Sequence, residues 1–351
     1  MAARAKAAGV LSGAFPLVET HLHLEGSIPR RVLASLASRA GLRLPDRVPG
    51  PGRGLQRRRG FGPFLDAFVF SASLLRDARD FDAAAYALLE DLRIEGILYA
   101  EIYFSPQVHL RRGVPLTSIM RGLGDARRRA RAEGGPEVGF IADGGRLWGP
   151  EWFEEIVEQV ARHRGEGVVA VGIGGDEAAA PARVFRRGFE RARKAGLGVV
   201  AHAGEGTSAR NVAEVIDHLG VTRIGHGISA ASDRRLLRRL ADRGICLEIC
   251  PTSNVMTGAA SSFERHPLRE ILDAGVPVAL GSDDRSIFGA TLRGEIDLAV
   301  RRMGVPVAAI PGLLGNAARS AFTSGRWRRD FETALAAAPA RGRWLERASR
   351  A

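Results

Sequence analysis

Residues 19–26 read Glu-Thr-His-Leu-His-Leu-Glu-Gly, with His21, His23 and Glu25 spaced two apart. On an extended strand, residues two apart share a face. These three polar side chains therefore point one way, while Leu22 and Leu24 point the other. Two neutral imidazoles side by side are suited to zinc, which binds His nitrogen at about 2.0–2.1 Å. Further candidates follow short apolar runs: His202 and Glu205 in Val-Val-Ala-His-Ala-Gly-Glu, His226 in Arg-Ile-Gly-His-Gly, and Asp283 with Asp284 in Ala-Leu-Gly-Ser-Asp-Asp. A single buried histidine is usually a hydrogen-bonded structural residue. Four at strand ends, joined by Glu205 and Asp283, point instead to a metal site. The other four histidines, His109, His163, His218 and His266, fall in loops or helices without such partners.

These ends need a frame that gathers them. Eight apolar runs read as strands: Phe15–Leu24, Leu98–Phe104, Val138–Ala142, Val168–Ile173, Gly198–Ala203, Arg223–Gly227, Ile245–Ile249 and Val276–Gly281. Segments of helical period follow most of them, including Trp152–His163, Val184–Ala195, Ala209–Leu219, Asp233–Asp242 and Pro267–Ala274. The alternation predicts an α/β protein, a single (β/α)8 TIM-type barrel with active-site residues at the C-terminal strand ends. An open dinucleotide-binding sheet would need a Gly-rich phosphate turn near its first strand, and none is present. Residues 30–90 form a long helical insertion after strand 1, and Pro45–Gly62 within it reads as a mobile loop. The expected organisation is a flexible N-terminus at 1–14, the barrel at 15–335 with C-terminal helices after residue 305, and a helical tail at 336–351.

Composition narrows the class. Of 51 basic residues in a chain of net charge +12, all but Lys6 and Lys194 are arginine. The arginines are spread over helix-like segments, and aromatics are only 6%. That predicts a solvated basic surface, with no specific nucleic-acid partner. No apolar run approaches the roughly 20 residues of a membrane helix. Cys246 and Cys250 fit neither a disulfide framework nor a four-cysteine metal site, and buried free thiols imply a reducing, cytoplasmic setting. Two-metal barrels often bridge their ions with a lysine on the fourth strand. Here Val168–Glu177 contains none, so one metal is expected.

Taken together, His-Leu-His-Leu-Glu-Gly-Ser (21–27), Gly-Gly-Asp-Glu (174–177), His-Ala-Gly-Glu (202–205), Ile-Gly-His-Gly (224–227), Cys-Pro-Thr-Ser-Asn (250–254) and Ser-Asp-Asp (282–284) resemble the adenosine deaminase family. Tyr-Ala-Glu-Ile-Tyr-Phe-Ser-Pro (99–106) and Asn-Ala-Ala (316–318) agree, and the resemblance runs from about residue 15 to 335. It implies one Zn2+ per subunit held by His21, His23, His202 and Asp283, with water at the open position. It further implies that His226 orients that water, Asp283 shares its proton and Glu205 protonates ring N1. On the substrate side it implies His23, Glu25, Asp284 at N7 and the Gly175 N–H at N3. The activity implied is hydrolytic deamination of adenosine or a close 6-aminopurine nucleoside, a small-molecule purine substrate. The Pro-Cys-X-X-Cys signature of cytidine-type deaminases is absent.

The sequence departs from the adenosine pattern at three places. Glu25 stands where adenosine-type members usually carry Asp, and relatives with Glu act on adenine or 6-aminodeoxyfutalosine. The fourth strand reads Gly-Ile-Gly-Gly-Asp-Glu. Arg285 replaces a usual Pro and either favours an acidic substrate or faces solvent. Two alternatives stay open: a barrel amidohydrolase that opens a cyclic amide, and a non-catalytic binding protein using its basic surface. Oligomeric state is not encoded in any of these features.

Overall fold

The computed structural model describes residues 15–44 and 60–338. The expectations for 1–14, for most of Pro45–Gly62 and for 339–351 lie outside the described residues. Eight strands pair in parallel, in chain order, in one sheet: β1 Leu17–His23, β2 Ile97–Phe104, β3 Glu137–Gly145, β4 Val168–Gly174, β5 Gly198–Ala203, β6 Arg223–His226, β7 Cys246–Ile249 and β8 Val278–Leu280. Beyond β8 the ring closes on β1. The Asp283 N–H donates to the His21 carbonyl (3.1 Å) and the His23 N–H to the Asp283 carbonyl (3.0 Å). The chain is the expected (β/α)8 barrel. All eight strands sit where the apolar runs placed them, and their ends shift by a few residues.

Nearly every strand residue is buried, as parallel strands packed on both faces require. Outward-facing Leu17, Leu22, Ile102, Phe140 and Val171 meet the helical ring in one continuous core. The insertion after β1 supplies α1 (Leu24–Ser27), α2 (Arg30–Arg39), α3 (Phe61–Ser73) and α4 (Ala78–Glu95). α4 begins at Asp77, whose carboxylate accepts from the N–H groups of Arg79 and Asp80. It stops at Gly96, whose φ of +85° is one that a side chain resists. α5 (Pro106–Leu110) follows β2, and α6 (Leu116–Ala132) returns to β3. Then come α7 (Pro150–Val160), α8 (Arg186–Lys194), α9 (Ala209–His218), α10 (Arg234–Asp242), α11 (Pro251–Thr257) and α12 (Leu268–Asp273); all but α11 match helical segments expected between later strands. α13 (Arg285–Phe288), α14 (Leu292–Arg302), α15 (Ile310–Ser320) and α16 (Gly325–Ala337) complete the chain described. No helix among the described residues is long and apolar enough to cross a membrane.

Three arginines break the surface expectation. Arg146, Arg223 and Arg285 are all buried. Arg285 faces neither solvent nor a substrate. Its guanidinium runs back to Glu19 (3.0 Å) and Glu95 (2.5 Å), tying β1 to the end of α4. Two carboxylates within reach of one buried guanidinium recover part of the cost of taking it out of water.

Candidate active site and metal centre

The C-terminal ends of β1, β5 and β6 and the turn after β8 bring His21, His23, His202, His226 and Asp283 together, all buried. His23 Nε2 stands 3.2 Å from His202 Nε2. Asp283 Oδ1 stands 3.4 Å from His23 Nε2 and 3.7 Å from His21 Nε2. Four donors around one zinc at bonds of about 2.0–2.1 Å stand roughly 3.3 Å apart, close to these three separations. Among the described residues, His21, His23 and Asp283 form one group able to hold an ion, and His21, His202 and His226 another.

Proton bookkeeping agrees. The His202 Nδ1–H donates to the Ile173 carbonyl (3.2 Å), which leaves Nε2 a lone pair. The His21 Nδ1–H donates to Glu248 Oε2 (3.1 Å), and His21 Nε2, fully buried, has no hydrogen-bond partner. Burial holds His23 and His202 well below the usual imidazole range, and the neighbouring imidazoles add to the effect. Both are neutral at pH 7, which is the ligating form. At His21 burial is outweighed by the Glu248 hydrogen bond and charge, which raise the pKa, so its buried, unpartnered Nε2 must lose a proton before it can ligate. Two neutral imidazoles, His21 and the Asp283 carboxylate together can hold a cation. Cys250 also lies within reach of His226 and Asp283. Burial and the Asp283 charge push its thiol well above the usual range, so it stays protonated.

Backbone strain marks the same place. Among described non-glycine residues only His226 (φ +60°) and Asp283 (φ +59°) have left-handed backbones. Such residues cost on the order of 1–3 kcal/mol each and persist where the surroundings impose them. Gly225 in Ile-Gly-His-Gly is explained by crowding: a Cβ there would meet the rings of His21 and His202 at about 3 Å.

Glu205 follows β5 on a loop held by Glu177, whose carboxylate accepts from the N–H of Gly204 (2.7 Å) and of Glu205 (2.9 Å) and from Thr207 and Asn211. The supporting role expected of Glu177 is therefore to shape this loop. Asp176 caps its own turn, accepting from the Ala178 N–H (2.9 Å). Glu205 Oε2 stands 3.5 Å from His226 Nε2, and Oε1 accepts from Thr257 (3.0 Å). Burial, with the charges of Asp283 and Glu177, raises Glu205 to about 8. Burial and Asp283 also raise Asp284 well above the carboxylate range, and its Oδ1 has no partner. Gly175 has φ +78° and open space where a Cβ would project.

The reading of the histidines needs correction at two positions. His109, on α5, is fully buried, and its Nε2–H reaches Glu25 Oε1 (2.9 Å). The same oxygen accepts from the Ser105 N–H (2.9 Å), while Oε2 is buried without a partner. Glu25 also lies in α1, two residues beyond the end of β1, so strand alternation does not govern it. His266 is buried behind His226, linked to it through Asn254. Both partners, Glu25 and Asn254, lie in short helices distant in the chain from the histidines they meet, which is why periodicity missed both.

Two further residues were missed. Glu248 on β7 accepts from His21 and from the Tyr103 hydroxyl (3.0 Å) and faces Arg223 Nε (3.0 Å). Burial alone would raise its pKa. The Arg223 charge and the His21 hydrogen bond outweigh burial and hold it at about 2. Asp143 on β3, raised to about 7 chiefly by burial, stands 4.0 Å from His202 Nδ1. Their only sequence signal was a carboxylate inside an apolar run.

The family model for adenosine deaminase matches residues 16–337. An aminodeoxyfutalosine deaminase of Acidothermus cellulolyticus is 38% identical, over 82% of this chain and 83% of that one. An adenine deaminase of Rhodospirillum rubrum is 34% identical, over 92% and 97%. Among solved structures, an adenine deaminase from Arthrobacter aurescens superposes with a TM-score of 0.84 at 29% identity, covering 92% of this chain and 98% of that one. An amidohydrolase from Burkholderia ambifaria with bound Zn superposes at 0.85 with 26% identity, covering 93% and 91%. The chain belongs to the adenosine deaminase family and is an aminohydrolase acting on C–N bonds.

Proposed function

We propose that this chain removes the amino group from a 6-aminopurine by hydrolysis, water replacing nitrogen at C6 and ammonia leaving. The observation that carries the reading is Glu205, a carboxyl group 3.5 Å from His226 at the edge of the histidine and aspartate cluster, which burial and the Asp283 charge push toward its protonated form. An acid there can protonate N1 as electron density moves onto the ring when C6 is attacked. His21, His23, His202 and Asp283 would hold one Zn2+ per subunit, as a relative's zinc supports, and the ion would supply a water activated near neutral pH. His226 stands between Glu205 and Asp283, 3.5 and 3.9 Å from their nearer oxygens, and orients the attacking water. Asp284, protonated, donates to N7, and the Gly175 N–H donates to N3.

The substrate beyond the ring has two readings. Adenosine or a close nucleoside is the one the motif set suggests. A free base is favoured by Glu25. One oxygen is pinned by His109 and Ser105, and His109 is backed by Phe81 with ring centroids 4.9 Å apart. Glu25 therefore cannot retract to admit a sugar, and its unpartnered oxygen suits the N9–H that only a free base carries. Relatives named for adenine and for aminodeoxyfutalosine keep both readings in view. Ammonia release from adenine, adenosine, aminodeoxyfutalosine and 9-methyladenine, with and without chelator, is the test. Silence toward every 6-aminopurine sinks the deaminase reading. Faster turnover of adenosine than of adenine sinks only the free-base one.

A further inference from the structure

Behind His226 runs a chain of three hydrogen bonds whose direction is fixed at its far end. The Leu268 backbone N–H can only donate, and it points at His266 Nδ1 (3.1 Å). His266 Nδ1 is therefore the acceptor, and the ring's one proton sits on Nε2. That Nε2 lies 3.1 Å from Asn254 Oδ1, so the amide oxygen accepts. The amide nitrogen is then the atom facing His226 Nδ1 (3.0 Å), and it can only donate. His226 Nδ1 must accept, which places the His226 proton on Nε2. That nitrogen faces the Glu205 and Asp283 carboxyl groups at 3.5 and 3.9 Å. Asn254 is fully buried and His266 nearly so, so water does not compete along the chain. Burial also lowers His266 to about 4, so it carries one proton at neutral pH, as the Leu268 bond requires.

From this polarity we infer that Asn254 and His266 are positioning residues that lock His226 as a donor at Nε2. The consequence is specific. His226 meets the reacting water as a hydrogen-bond donor. It holds the water's oxygen by giving a hydrogen bond, and a lone pair to take the water's proton is not available on that side. The proton leaves toward a carboxylate instead. The chain starts from α12, so the tautomer of a ring at the barrel mouth is set by a backbone amide outside it. The catalytic consequence rests on the deaminase reading, while the tautomer does not.

Asn254→Asp reverses the polarity. A carboxylate in the amide's place accepts from His266 and demands a proton from His226 Nδ1. Turnover of the best 6-aminopurine should fall by about 10²-fold or more, with KM little changed, because a wrong tautomer leaves shape intact. His266→Gln keeps a donor toward Asn254 and should stay within about threefold of the parent enzyme. His266→Leu removes that donor and should lie between the two. The readout independent of activity is ¹⁵N NMR of the histidine rings, in zinc-loaded and zinc-free protein, with melting temperature as the check on folding. His226 protonated at Nε2 in the parent and at Nδ1 in Asn254→Asp supports the assignment. Protonation at Nδ1 in the parent, or full activity of Asn254→Asp, overturns it. Should no purine be deaminated, the NMR result still decides the tautomer and only the functional reading fails.

Discussion

The barrel interior has two tiers, and both bury charge in opposite ways. In the lower tier, Arg223 on β6 faces Glu101 on β2 and Glu248 on β7, a cation between two carboxylates. The Tyr99 and Tyr103 hydroxyls donate to those same carboxylates. In the upper tier, Glu205, Asp283, Asp284 and four imidazoles crowd together with no arginine or lysine among them, and two of those residues hold left-handed backbones. The lower tier is complementary within itself. The upper tier is complementary only to an ion and a substrate. Low dielectric magnifies both cases, strengthening matched pairs and penalising unmatched ones. The shared member is Glu248, which spends one oxygen on Arg223 and the other on His21 and Tyr103. The rigid tier thereby aims a ligand of the unfinished one.

The comparison predicts that substitutions in the lower tier cost stability and those in the upper tier cost turnover. Arg223→Met leaves Glu101 and Glu248 facing each other unpaired and should destabilise by about 5 kcal/mol, read as a large drop in melting temperature. A small drop would show that the lower tier is not the rigid one. Glu205→Gln should lower kcat by about 10³-fold, or about 4 kcal/mol, with zinc content and melting temperature unchanged. Retained activity would remove Glu205 as the N1 donor. Zinc at about 100 times its Kd should add roughly 2.7 kcal/mol of stability that chelator removes, and His21→Ala should abolish this effect. An unchanged response in His21→Ala would mean that another residue ligates.

Acid and alkali should separate the tiers. Glu205 is raised to about 8 in the folded chain, so it binds its proton more tightly when folded. Its contribution to metal-free stability is present at low pH and is lost as pH rises from the usual carboxylate value through 8. Glu248, held at about 2, behaves oppositely. Its contribution is present above pH 4.5 and is lost as pH falls toward 2. Melting curves from pH 3 to 9 in chelator should show the alkaline slope reduced in Glu205→Gln and the acid slope reduced in Glu248→Gln. With zinc and substrate, kcat/KM should show an alkaline limb falling about tenfold per pH unit that disappears in Glu205→Gln, and the bound ion's charge should place it below the metal-free value.

Most of the scaffold was readable because strand and helix periods are local properties. Eight apolar runs of strand length, four of them with histidines or acidic residues at or just past their ends, were enough to place the barrel and to pick out His21, His23, His202, His226 and Asp283. The strand alternation used to aim Glu25 does not apply to it, since it lies in α1 and not on the strand. Arg285 defeated both of its expectations, because its partners Glu19 and Glu95 are distant in the chain and no local pattern reveals them.

The order of the motifs along the chain therefore determined the barrel, its open rim and the identity of the residues on that rim, since period and spacing survive in one dimension. Only the tertiary structure decided which proton each of those residues carries. That depends on burial and on single hydrogen bonds between distant segments: Ile173 to His202, Glu248 to His21, and Leu268 through His266 and Asn254 to His226. A proton's position is set by what lies within about 3 Å, and neighbours at that range are chosen by the closing of the barrel.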